Sequence, residues 1–175
     1  MLMKKSNLPR GLVKDERITS LASRYLERAS KNLELMNILS QLRTNKEAQA
    51  ALKLPENYSN DEWVTIAAYY AMYASALALL AKVGYKSDNH TATIIALERF
   101  FVKKQIISSE YLAIFKQVRN QISPQDVNEL ARGKDNREIA QYSVTEATTH
   151  AIAEASMKNA YNFVNKIRSI IEEIK

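Results

Sequence analysis

The chain has 175 residues, enough for one domain to bury a core without metal or disulfide help. Three Gly and three Pro are too few for a β-rich fold, and the absence of Cys removes disulfides, thiolate metal sites and cysteine nucleophiles. Its 25 Lys+Arg against 19 Asp+Glu give a net charge of +6, which suits an anionic partner such as nucleic acid or nucleotide.

Residues 1–13 read as a loose basic arm, with Lys4, Lys5 and Arg10 around Pro9 and Gly11. No apolar stretch of signal-peptide length follows the basic start, which is the expectation for a cytoplasmic protein. From 14 to 175 the pattern is one helical domain. Between Lys14 and Leu42, apolar residues recur at Ile18, Ala22, Tyr25, Ala29, Leu33, Met36 and Leu39, steps of three and four that mark one face of a long helix. A short helix in NKEAQAALKL stops at Pro55.

Ser59, three residues before Glu62, has capping-box spacing and predicts the start of the next helix. That helix contains Trp63–Ala81, WVTIAAYYAMYASALALLA, nineteen residues without a charge. Its length meets the rule for a membrane span. Seven Ala, three central Tyr and flanks without Arg/Lys asymmetry instead predict the buried centre of a helical bundle, covered by its neighbours. Gly84 suits the left-handed residue that ends it.

A third helix is predicted from Asp88 or Asn89 to Val102, carrying Ile94, Leu97 and Phe101. A fourth is capped by Ser108 or Ser109, with Tyr111, Ile114, Phe115, Val118 and Ile122 inward. Ser123-Pro124 and Gly133 kink or restart it. Ser143 and Glu146 repeat the capping-box spacing before a last helix with Ala147, Ala151, Met157, Ala160 or Tyr161, Val164, Ile167, Ile171 and Ile174 inward. No strand-like alternation of useful length is present. The expected class is all-α, an up-and-down helical bundle of about five helices.

The chemistry on offer is sparse. His90 and His150 are the only histidines, far apart and outside any metal-binding helix spacing. His90 reads as a first-turn capping or packing residue, and His150 as a satisfied histidine on the apolar side of the last helix. There is no phosphate-binding glycine loop and no nucleophile elbow. Two basic clusters stand out: Lys116, Arg119 and Asn120 in KQVRNQ, and Arg132, Lys134 and Arg137 in ARGKDNREIAQY. Charge runs of this kind are ordinarily solvated helix faces.

The order AAYYAMYASALALLAKVGY, NHTATIIALERFFV, REIAQYSV and AYNFVNKI resembles the HEPN domain superfamily over roughly residues 14–174. It is most similar to the branch with aYYAmf-like, Gly-Tyr, sH and Arg-x-x-Ala-Asp-Tyr segments in that order. The resemblance implies an up-and-down bundle that forms a homodimer and sets a polar motif in the cleft between subunits. Catalytic members are metal-independent ribonucleases with Arg, four to six residues, then His, often toxins paired with a minimal nucleotidyltransferase. Other members bind nucleotides or act as non-catalytic partners. The resemblance implies metal-independent chemistry; no cofactor is expected, and the make-up of Trp63–Ala81 argues against a membrane.

The chain departs from the nuclease pattern where it matters. Tyr142 stands where His is wanted after Arg137, and Gln141 where the branch has Asp. The alternative alignment, Arg119-Asn120, runs into Ser123-Pro124 with no His. A general base needs a group that accepts a proton near neutrality, which Tyr, with an ordinary pKa of about 10, and neutral Gln do poorly. Arg137 can still hold a phosphate through its planar fork. The expectation is binding of nucleotide or RNA by Arg132, Lys134, Arg137, Gln141, Tyr142, Arg119 and Asn120 in a toxin–antitoxin-type pair. The alternatives are an active ribonuclease toxin completed by His90 or His150, and a purely structural helical interaction module.

Overall fold

The computed structural model describes residues 8–121 and 150–174. In chain order these form strand β1 (Leu12–Lys14), a 3-10 turn (Glu16–Leu21), α1 (Ala22–Thr44), α2 (Lys46–Ala51), α3 (Asp61–Lys82), strand β2 (Tyr85–Ser87) and α4 (His90–Leu97). A π-helical turn (Glu98–Val102), α5 (Ser109–Gln121) and α6 (His150–Glu173) follow. The all-α helical bundle expected from the sequence is present.

Helix α3 is its axis, packed mainly between α1 and α6. The reason lies in its side chains. Ala67, Ala68, Ala71, Ala74, Ala76, Ala78 and Ala81 are buried and let the neighbouring backbones close in, while Val64, Met72, Leu79 and Leu80 fill the space between. Full burial of one such larger side chain contributes about 1.5–3 kcal/mol. By length and composition α3 could cross a membrane, yet 83% of its apolar window is buried inside the protein. It is a core helix here.

The covering is not complete. From Val64 to Ala81 every residue is buried except Ile66, Tyr70, Tyr73 and Leu77. Their spacing of four, three and four puts them on one stripe, and Trp63, 55% exposed, leads it. The expectation that α3 is sheathed on every side is therefore corrected along this line.

Several helix ends follow the sequence signals. The Asn89 side chain caps α4 by accepting from Ala92 N at 2.8 Å, and Asn45 does the same for α2 with Ala48 N at 2.9 Å. Gly84 ends α3 with φ +80°. The Ser59–Glu62 box does not form. Asn60 takes the cap position, spends its amide on Leu39 O at 2.7 Å, and the Ser59 hydroxyl donates to Asp61 Oδ2 at 3.0 Å. The Ser59 oxygen still accepts from Asp61 N at 3.5 Å, so it serves the residue after the cap rather than Glu62.

Two further expectations change. The reading of a loose arm to residue 13 and no strands gives way to an antiparallel pair, Leu12–Lys14 with Tyr85–Ser87. Leu12 is only 4% exposed, so burial holds this strand. Three residues are too few to show an alternating pattern. In α6 the buried line is Ala153, Ser156, Ala160, Phe163, Val164, Ile167, Ile170 and Ile171. Ala160, Val164, Ile167 and Ile171 are buried as expected, whereas Ala151, expected inside, is exposed. Ala147 and Ile122 lie outside the described residues, as do the side chains of Phe115 and Val118.

Candidate functional site: two histidine-centred clusters

The residues that carry the expected site, Arg132, Lys134, Arg137, Gln141 and Tyr142, lie outside the described residues, as do the side chains of Arg119 and Asn120 on α5. Lys116 pairs with Glu98 at 3.6 Å, both about half exposed, a solvated ion pair of little energetic weight. The chemistry that is described gathers instead around the two histidines.

The first cluster joins three helix ends. Arg43, in the last turn of α1, donates from Nη1 to Asp61 Oδ1 at 3.0 Å in the first turn of α3. His150 is the first described residue of α6, with Nδ1 3.5 Å from Asp61 Oδ1 and Nε2 2.9 Å from Glu154 Oε1. Arg43 Nη2 lies 3.9 Å from that same Glu154 oxygen. The four groups thus close a ring of alternating charge when His150 is protonated. Two of the charges also sit at favourable helix ends: a cation at the C-terminus of α1, a carboxylate at the N-terminus of α3.

Burial is uneven across the ring. The Arg43 and Asp61 side chains are 15% and 11% exposed, against 50% for His150 and 64% for Glu154. The ring therefore has a dry side and a wet side. Beneath it, Arg43 Nε and Asn60 Oδ1 are buried with no protein partner among the described residues. His150 is satisfied, as the sequence suggested, but by two carboxylates at a half-exposed edge of α3 and α6 rather than on an apolar face. The His-x-x-x-Glu spacing of His150 and Glu154 was the available signal, since side chains four apart meet on a helix.

The second cluster sits where α4 begins against α3. The Tyr69 hydroxyl and His90 Nδ1 are hydrogen-bonded, and Tyr69 is fully buried. The Tyr73 ring stacks on His90 with centroids 4.1 Å apart, and Tyr69 and Tyr73 lie 6° from parallel at 6.1 Å. Burial pushes the Tyr73 phenol above its usual range, opposed by a hydrogen bond with Thr93. Burial likewise raises Tyr70, opposed by the charge of Arg28. Capping by Asn89 fixes the first turn of α4 and so aims His90 at the tyrosines, in keeping with its expected packing role.

Among the described residues no group of three or more His, Asp or Glu is arranged to hold a metal ion. The arrangements can hold charge and stack rings. Comparison of the chain with protein families, curated proteins and solved structures finds no match.

Proposed function

We propose that this is a HEPN-type helical protein that works in the cytoplasm as a homodimer. In this reading it binds nucleotide or RNA around Arg137, Gln141 and Tyr142, cleaves poorly or not at all, and operates beside a minimal nucleotidyltransferase partner. Support comes from two of the segments that carry the resemblance: AAYYAMY on α3 and Asn89-His90 at the start of α4 meet through Tyr69, Tyr73 and His90.

The observation that favours binding over cleavage is the engagement of both histidines. His150 presents each ring nitrogen to a carboxylate. That setting suits an imidazolium, with two N–H donors and no lone pair to accept a proton. His90 commits Nδ1 to the buried Tyr69. Both histidines are thus tied to protein partners through at least one ring nitrogen, which favours phosphate recognition by arginine over hydrolysis.

Purified, metal-chelated protein is to be incubated with tRNA. Salt-sensitive binding without cleavage, weakened in Arg137→Ala, is the expected result. Cleavage that disappears in Arg137→Ala would overturn the preference for binding. Light scattering at micromolar concentration should give the mass of a dimer, and a monomer there counts against the reading.

A further inference from the structure

We infer that the Arg43–Asp61–His150–Glu154 ring is a proton-operated fastening that holds the first turn of α6 onto the junction of α1 and α3. This stands independently of the proposed function.

The argument starts from donors and acceptors. Facing His150 are Asp61 from α3 and Glu154 from its own helix, with Arg43 from α1 behind both. With His150 charged, the ring sums to zero and both nitrogens donate. Losing that proton leaves two carboxylates sharing one cation, and one ring lone pair pointed at a carboxylate oxygen. Because Asp61 and Arg43 are nearly dry, that imbalance is weakly screened. The half exposure of His150 and Glu154 gives protons a direct route to the site.

Among the described residues, His150 is the only contact between this corner and the start of α6 that changes charge near neutrality. Arg43 remains charged at all relevant pH. Among the described residues of α6, the first buried ones are Ala153 and Ser156. Among the described residues, the ring ties the start of α6 to the junction of α1 and α3.

The sign follows from linkage. A histidine whose charged form gains partners on folding contributes stability in full at low pH, and that contribution is lost as pH rises through its titration in the folded chain. The first turn of α6 is therefore fastened in mildly acidic solution and loosened in alkaline solution, opposite to the acid-triggered release usual for a buried neutral histidine.

The test uses the full chain. With only two histidines, ring ¹⁵N signals assign by comparison with His150→Gln. We expect both nitrogens of His150 protonated at pH 6, a lower titration midpoint in Glu154→Gln, and hydrogen-exchange protection of the 154–157 amides, which bond back to the carbonyls of the first turn, that falls about fivefold to tenfold between pH 6 and 8 after correction for intrinsic exchange. In His150→Gln this protection should be independent of pH. Glu154→Gln changes a mostly exposed group and keeps the fold if Asp61→Asn does not. An unchanged midpoint in Glu154→Gln, or wild-type protection that does not respond to pH, overturns the inference. So does a midpoint shift without a change in protection, which makes His150 only a titrating ion.

Discussion

Arg43 and Asp61, eighteen residues apart, place a guanidinium nitrogen 3.0 Å from a carboxylate oxygen at a point where both side chains are largely buried. The pair welds the end of α1 to the beginning of α3. Removing one member of a buried pair strands the other charge, which costs about 3–5 kcal/mol. Arg43→Met should reduce unfolding free energy by that order in urea titrations. The double variant Arg43→Met with Asp61→Leu should recover part of the loss, and a single variant as stable as the wild type would contradict the account.

The stripe on α3 makes a paired prediction. Leu79 is fully buried between helices, whereas Leu77 lies on the partly open line. Leu79→Ala empties a packed space and should cost about 2–5 kcal/mol. Leu77→Ala should cost less than about 1.5 kcal/mol, since a side chain that water still reaches gains only part of the transfer free energy of full burial. Equal costs in denaturant melts would mean that the stripe is not open.

Alkaline behaviour is set by the tyrosines of the second cluster. Burial raises Tyr73 and Tyr70, so the folded chain favours the neutral phenols. A group with a raised folded value stabilises below its unfolded pKa, about 10 for tyrosine, and that contribution disappears as pH climbs through the folded value. Absorbance titration of phenolate should show a late-titrating set that ionises together with unfolding. Tyr73→Phe, which keeps the ring stacked on His90, should move the alkaline transition to higher pH.

Gly84 isolates a backbone effect. A Cβ placed there meets nothing closer than 3.7 Å, at Glu16, yet φ is +80°. Gly84→Ala should therefore cost about 1–2 kcal/mol from the left-handed backbone alone. Gly11→Ala adds a collision, since its Cβ would fall 1.9 Å from Asn89 Nδ2 and 2.3 Å from Asp88 Oδ1. Thermal melts should rank Gly11→Ala as the more damaging of the two.

Helix identity was legible because it rests on local periodicity. The phase of α1, the Asn89 cap and the Gly84 stop all come from neighbours within one or two turns. What was not legible depends on encounters across the fold. Nothing local joins Arg43 to Asp61, and the Ser59 box is displaced because the helix takes Asn60, one residue later, as its cap. Periodicity gives the buried line of α6 from Ala160 to Ile171, but it does not show that a carboxylate of α3, Asp61, faces His150. The open line on α3 was hidden for a related reason: nineteen uncharged residues carry no mark of which side lacks a neighbour.

The short strands have a consequence for how the chain assembles. They clasp together the entrance to α1 and the exit from α3, across roughly 70 residues of intervening chain (14 to 85). Three rungs cannot repay closure of so long a loop by themselves. The helical hairpin must stand first, and the clasp then snaps shut as a late step. On gentle destabilisation it is also the earliest piece to let go, freeing the N-terminal end while the α1–α3 pair stays intact.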